Sequence, residues 1–434
     1  VLVNISQNPK AYRVFLINQV VGSFLFTLVW TVQAVYYIVN ARLDPLQLVL
    51  VGTVMEGVIF LFEVPTGVVA DTYSRRRSVL IGIFLWGIAL LIEGSFANFW
   101  AILAAQVVAA LGWTFNSGAL EAWVAGEVGE ENIGPVFLRA SQVGRIARLA
   151  AIIASVGLAS IQLNIPSLLG GVGFIMLGVY MVLAMKETGF KPIPKEEREG
   201  WRDMKRTFLD GTRVVRASPV LLIFLALGIF TGASSEGMDR LGEIHFLKNF
   251  SFPELGQLQP VVWFGIMDIG QMVLGLLATY LIIKRVDTNN HAIVARVLVV
   301  FSALQIVGIG AFALAGSFVF ALLAYWGMRL FRGIAGPLYS TWLTQSIDPR
   351  VRATVLSMTS QSDAIGQVAG GPVIGWIGTA ISIRAALVTS AVLLLPTLPL
   401  VARARQRVVD AAEASASSEQ VAEPQAIAVV TAAE

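Results

Sequence analysis

Apolar side chains recur in twelve long runs, at about 14–39, 46–70, 78–97, 99–125, 136–162, 166–185, 219–246, 255–283, 292–315, 317–346, 352–380 and 384–402. Each is near the length of about 20 residues that a helix rising 1.5 Å per residue needs to cross a bilayer core. The chain therefore reads as an all-α integral membrane protein. The first run is too long for a signal-peptide core and lacks a small-residue cleavage site, so it is expected to remain as a helix. Basic residues punctuate alternate connections. Lys10 and Arg13 precede the first run; Arg75–Arg77, Arg139, Lys284 with Arg285, Arg350 with Arg352, and Arg403, Arg405 and Arg407 follow the second, fourth, eighth, tenth and twelfth. The intervening connections hold only single cations, Arg42, Lys248 and Arg384. Lys and Arg favour the cytoplasmic face, so both termini are expected there, in a multi-pass protein of the inner (plasma) membrane.

One polar segment interrupts the pattern at its middle. Lys191–Glu199 is mixed in charge and punctuated by Pro192 and Pro194, and Trp201–Val215 has the pattern of an interfacial amphipathic helix. This divides the chain into a first bundle of six helices (1–186), a cytoplasmic linker (187–218), a second bundle (219–405) and a disordered tail (406–434). The halves are weakly alike. Ser117-Gly118-Ala119-Leu120-Glu121-Ala122-Trp123 in the first has a counterpart in Gly336-Pro337-Leu338-Tyr339-Ser340-Thr341-Trp342, and Asp71 and Asp287 occupy matching basic turns. Two pseudo-symmetric six-helix bundles around a central site are expected.

Composition narrows the chemistry. Of 434 residues, 56% are hydrophobic and 14% charged, against about 25% charged in soluble domains. The net charge of +3 is spread over alternate loops, which sets topology and offers no nucleic-acid surface. With no cysteine and with His245 and His291 far apart, thiol chemistry, disulfides and metal catalysis lack their residues, and no cofactor or enzymatic activity is expected.

Ionisable groups inside the runs are the informative residues, since a charge at the bilayer centre costs at least about 2.5–3.5 kcal/mol. Glu56, Arg145, Asp268, Arg329 and Asp363 fall near the midplane; Glu93, Glu236, Asp239 and Arg240 toward the outer side; Glu63, Asp71 and Glu121 toward the cytoplasm. By sign, Glu56 and Glu121 are expected to partner Arg145 and Arg148, and Asp268 and Asp363 to partner Arg329 and Arg332. Such pairs can serve only to lock each bundle. Glu56 and Asp363, followed by Asp268, Glu236 and Asp239, are the candidates for carrying a proton. Amides and aromatics remain to line a cavity: Asn18, Gln33, Tyr37, Trp113, Asn116, Trp263, Gln271 and Gln361.

The turn Gly67-Val68-Val69-Ala70-Asp71-Thr72-Tyr73-Ser74-Arg75-Arg76-Arg77 resembles the G-x-x-x-D-(R/K)-x-G-R-(R/K) signature between the second and third helices of the major facilitator superfamily, with Thr72 and Ser74 as departures. Over about residues 1–405 the resemblance implies a twelve-helix transporter working by alternating access on a small-molecule substrate, as a monomer in the bilayer. It also implies a cytoplasmic gate at Gly67, Asp71, Arg75, Arg76 and Arg77, with Asp71 meeting the start of the eleventh run near Arg350–Arg352. The runs Phe62-Glu63-Val64-Pro65-Thr66-Gly67 and Ser117–Trp123 resemble the bacterial macrolide- and tetracycline-type efflux branch, which implies proton-coupled export of lipophilic or cationic compounds. Against antiport, Gln106 stands where that branch carries an arginine. The fifth run also lacks a Gly-Pro pair; a loosely similar pattern, Gly366 to Gly375, lies in the eleventh. A carrier of an organic anion, sugar or lipid, by uptake or exchange, is the alternative. An unpaired, cavity-facing arginine favours an anion. A membrane enzyme or a receptor lacks the residues or the added domain it needs.

Overall fold

The computed structural model describes residues 8–190, 218–255, 259–285, 290–345, 347 and 352–407. The expected linker helix at Trp201–Val215, the tail beyond 407, Asp287 and Arg350 lie outside the described residues. The helices are α1 (Pro9–Val39), α2 (Pro45–Thr72), α3 (Arg75–Ser95), α4 (Phe99–Asn116), α5 (Ala119–Val128), α6 (Ile133–Ile161), α7 (Ile165–Ala184), α8 (Pro219–Asn249), α9 (Val262–Arg285), α10 (His291–Ala313), α11 (Phe318–Gln345), α12 (Arg352–Ala380) and α13 (Ile383–Leu394), the last continuing through 397–407 after a turn.

Their starts follow from capping chemistry. Asn8, Asp44, Ser74, Asn98, Ser218 and Ser382 each accept a hydrogen bond from a first-turn amide, and Pro9, Pro45 and Pro219 occupy first-turn positions where no N–H is missed. Asp44 and Gln47 close a reciprocal capping box at 2.9 and 3.1 Å. The fourth apolar run is one crossing but two helices. Gly118, at φ +71°, turns the chain between α4 and α5, a conformation a side chain resists. Eleven crossings meet the length and hydropathy of a membrane span, counting α4 with α5 as one. The twelfth is α12, whose glycines, Ser, Thr, Gln and Asp363 lower its hydropathy; it packs between α8 and α2.

Within the first half α1 packs on α6 and α7, and α3 on α4 and α7. Within the second, α8 packs on α12 and α13, and α10 on α11 and α13. The halves meet through α2 with α12 and α8, α6 with α9, and α1 with α8. These contacts gather at the end remote from Arg75–Arg77. Cβ atoms on Gly371, Gly375 and Gly378 of α12 would lie 2.6–3.0 Å from Thr53, Leu46 and Pro45 of α2, and Gln259 donates to the carbonyl of Ser160 at 3.0 Å. One apolar core, from Val32 and Leu48 to Leu241, Phe246 and Ile374, spans both halves at this end. Toward the basic end each half has its own core, around Phe15, Trp123 and Val136 in one and Phe224, Trp342 and Val355 in the other. The molecule is therefore closed at the far end and open at the basic end.

Candidate functional site

Between the halves, from mid-depth to the open basic end, lies a cavity of about 930 Å³. Glu56 and Glu63 of α2, Asp239 of α8, Gln271 of α9, Arg329 and Arg332 of α11, and Gln361 and Asp363 of α12 line it. A chamber of about 350 Å³ shares Glu56, Asp239, Arg329, Arg332 and Gln367 with it, and adds Glu236, Arg240, Glu243, Asp268 and Tyr325. Seven carboxylates and three arginines thus surround one connected space.

Helix periodicity explains the clustering. Glu236, Asp239, Arg240 and Glu243 follow i, i+3, i+4, i+7 on α8, and Tyr325, Arg329 and Arg332 follow i, i+4, i+7 on α11. Arg332 donates from one guanidinium nitrogen, Nη1, to both carboxylate oxygens of Asp239, at 2.7 and 2.8 Å. Arg240 lies 3.8 Å from the buried Glu236. Its guanidinium occupies the space a side chain at Gly52 of α2 would need, so this charge of the second half is seated on the first. Arg329 donates to the Tyr325 hydroxyl at 2.5 Å and sits 5.2 Å from the ring centroid; that hydroxyl is 3.5 Å from Glu243. Gln367 donates to Asp363 at 2.7 Å.

Several expected partnerships are corrected. Arg332 takes Asp239 in place of Asp363, and Arg329 donates to Tyr325 while sharing the chamber with Asp268, without an ion pair within 4 Å among the described residues. Glu56 faces the chamber with Arg240, while Arg145, Arg148 and Glu121 are exposed and have no ion pair among the described residues. The cause is azimuth: sequence depth places these groups at similar heights but does not say that α6 turns its arginines toward α9. Glu236, Asp239 and Arg240 border the midplane chamber instead of an outer mouth, because α8 runs 31 residues and extends past it. Glu243 and Tyr325 were not anticipated, although each continues a stripe that the sequence already shows.

Gln271 and Gln361 line the cavity. The other proposed lining residues lie elsewhere. Gln33 and Tyr37 are tied to Glu93; Asn18 is buried in α1; Trp113 packs near Trp86; Asn116 lies against Gly82; Trp263 donates to the Pro253 carbonyl. Glu93 is 1% exposed and accepts from Gln33 at 2.9 and 3.0 Å, Tyr37 at 2.7 Å and Ser167 at 3.0 Å, a carboxylate satisfied entirely by neutral donors.

At the basic turn, Asp71 is 60% exposed and, among the described residues, pairs with Arg75 at 3.8 Å and not with Arg352; Arg350, the other arginine of the expected contact, lies outside the described residues. Gly67 has open space beside it. Arg75 donates to the Ala122 carbonyl at 2.9 Å, and Arg76 to the carbonyls of Met185 and Val182 at 2.6 and 2.7 Å. Glu187 accepts from Ser74 and the Arg76 amide, and the Arg77 amide donates to Ser74. The turn thus fastens α3 to α5 and to the chain leaving α7. Among the described residues no three His, Asp or Glu groups converge to hold a metal. His245 is buried against the Phe312 carbonyl at 3.1 Å.

Residues 15–362 match the Major Facilitator Superfamily. The chain belongs to that superfamily. It is 24% identical over 385 residues, 86% of this chain and 89% of the relative, to the uncharacterized MFS-type transporter YxaM of Bacillus subtilis (strain 168). In fold this superfamily member is similar to the nucleoside transporter NupG (TM-score 0.69, 15% identity, 92% of this chain and 99% of that one). It is also similar to a bacterial homolog of the human lysosomal transporter Spinster in an inward-facing, unoccupied conformation (TM-score 0.70, 15% identity, 93% and 98%). A POT family transporter gives TM-score 0.72 at 12% identity over 92% and 96%. The chain is a membrane transporter of this superfamily, not an enzyme, and its fold is the twelve-crossing arrangement expected from hydropathy.

Proposed function

We propose that this transporter couples proton movement to export of a lipophilic small molecule, cationic compounds included, by rocking its two bundles about the central cavity. The observation that carries the reading is the surplus of four carboxylates over arginines around one space inside a membrane protein. At membrane depth such a surplus is stabilised by holding protons or a cation, most of all when the cavity is closed to water. Glu56 and Asp363 stand out, because both line the cavity, neither has an ion pair within 4 Å among the described residues, and they sit on the two helices, α2 and α12, that close the far end. With the basic end taken as cytoplasmic, from its Lys and Arg, the described arrangement is inward-open, ready to load from the cytoplasm of a cell whose inner membrane holds the protein as a monomer with both termini inside. The bundles are the bodies proposed to move, 1–186 against 219–405, joined by 187–218.

The test is energised efflux of a panel of lipophilic dyes from expressing cells, with and without a protonophore. Efflux is expected to collapse with the protonophore and to fall at least about tenfold in Glu56→Gln or Asp363→Asn, the loss of a group needed in every cycle. Expression-dependent efflux that ignores both the protonophore and the two substitutions would overturn proton coupling.

A further inference from the structure

The two arginines without an ion pair among the described residues stand apart from the charged chamber. Arg145 and Arg148 lie one turn apart on α6, the thirteenth and sixteenth of its 29 residues. At 1.5 Å per residue both fall within about 3 Å of the helix midpoint. They line a cleft of about 230 Å³ whose other walls come from α9 and α11, including Gln271, Met272, Leu276, Leu330 and Ile334. Gln271 and Gly333 also border the main cavity, so the cleft opens into it. Where α6 meets α9 farther along, Val156 packs against Gly265, so the cleft lies just on the basic side of that contact. On its outer flank Ile146 and Ile153 are 69% and 68% exposed, as befits a surface that meets lipid.

Two cations at mid-depth beside an apolar wall are costly unless an anion meets them. Neither side chain reaches a membrane face, since an arginine spans only about 6–7 Å and the faces lie about 15 Å away, so the water available to them is that of the open cavity. Among the described residues no carboxylate lines the cleft: Asp268, one turn before Gln271 on α9, lies in the chamber with Arg329. The Gln271 side-chain oxygen is buried without a hydrogen-bond partner among the described residues. It can accept from a protonated anion or a hydroxyl.

We propose that this cleft binds the anionic group of an amphiphilic cargo, one phosphate or carboxylate held by Arg145 and Arg148, with its apolar chain along Met272, Leu276, Leu330 and Ile334. The guanidinium fork suits a phosphate or carboxylate better than any neutral head. A bilayer lipid at rest keeps its headgroup at the membrane face, so an anion at this depth is in transit. The inference rests on the carrier reading and narrows its cargo from lipophilic compounds, cationic ones included, to anionic amphiphiles. The cargo carries negative charge on an apolar chain, and the chamber carboxylates are left to protons.

The test is equilibrium binding of radiolabelled dodecyl phosphate and, separately, phosphatidic acid to the full chain in nanodiscs of neutral phosphatidylcholine. Inorganic phosphate and dodecyltrimethylammonium are the comparisons. Saturable binding of either phosphate amphiphile is expected, weakened about tenfold or more in Arg145→Gln/Arg148→Gln and less in Arg145→Lys/Arg148→Lys. The arm that binds tells a free amphiphile from a lipid. Inorganic phosphate is expected to bind at least about tenfold more weakly than dodecyl phosphate, because it lacks the chain. A monodisperse glutamine variant that binds as tightly as the native chain, or equal binding of dodecyltrimethylammonium, would overturn the proposal. Binding needs no proton gradient, so its result is separate from that of the efflux experiment.

Discussion

Glu93 is a carboxylate kept dry without a cation. Four neutral side chains donate to it, Gln33 and Tyr37 of α1, Gln106 of α4 and Ser167 of α7, and its backbone carbonyl takes the Tyr36 hydroxyl at 2.7 Å. Removing the acceptor is therefore worse than losing a contact. Glu93→Ala is expected to cost about 1–3 kcal/mol for each donor left unpaired, and Glu93→Gln less, visible as a lowered thermal midpoint in detergent. An unchanged midpoint in the alanine variant would contradict this reading of the knot. The Arg332–Asp239 pair makes a second residue-scale prediction. A double-mutant cycle of Arg332→Gln and Asp239→Asn should give a coupling of about 0.5–3 kcal/mol, whereas additive effects would mean the two act separately. Depth along each helix made the important charges legible in the sequence, Glu56, Asp268, Arg329 and Asp363 among them. Partners were not legible, because a partner depends on the azimuth of two helices at once. The exception is local: the α8 and α11 stripes that bring in Glu243 and Tyr325 are readable from spacing alone.

At the scale of the element, α12 does the most with the least hydrophobicity. Its glycines let it lie against α8 on one side, where Gly366 and Gly370 meet Ile229 and Ala233, and against α2 on the other. This explains why a helix central to the molecule falls below the hydropathy of a lone membrane span: its neighbours are protein on two faces. The run was legible through its length and its flanking cations, as were the eleven others. The break at Gly118 was not, because an apolar run continues straight across it. Gly371→Leu is expected to overpack the α2 contact by about 1–3 kcal/mol and to loosen the far end. The check is disulfide formation in an Asp44→Cys/Thr379→Cys pair, built where Thr379 and Asp44 approach to 3.4 Å in a chain that has no other cysteine. Cross-linking should slow markedly with Gly371→Leu present; an unchanged rate would separate the glycine from the closure.

For the whole molecule, the asymmetry of its cores supports the proposed rocking of the two bundles. One core shared across the halves at the far end, and two separate cores at the basic end, describe a body that can hinge at the far contacts only by breaking them. Arg240 seated on Gly52 is one such contact, and it places a charge of the central chamber inside the closure itself. Under the proposed coupling, a proton taken up in the chamber would act on the same residues that hold the halves together. The six-and-six division was legible in the sequence from its basic loops and weak repeat; which end is closed was not, since the same pattern serves both states of a carrier. The most direct measurement pairs spin labels across each end, Val69→Cys with Ser357→Cys at the basic end and Arg42→Cys with Ile381→Cys at the far end, over about pH 5–8. The account predicts two distance populations at each end whose balance shifts with pH in opposite senses, the far pair lengthening where the basic pair shortens. A single unchanging distance at both ends, or both ends moving in the same sense, would contradict it.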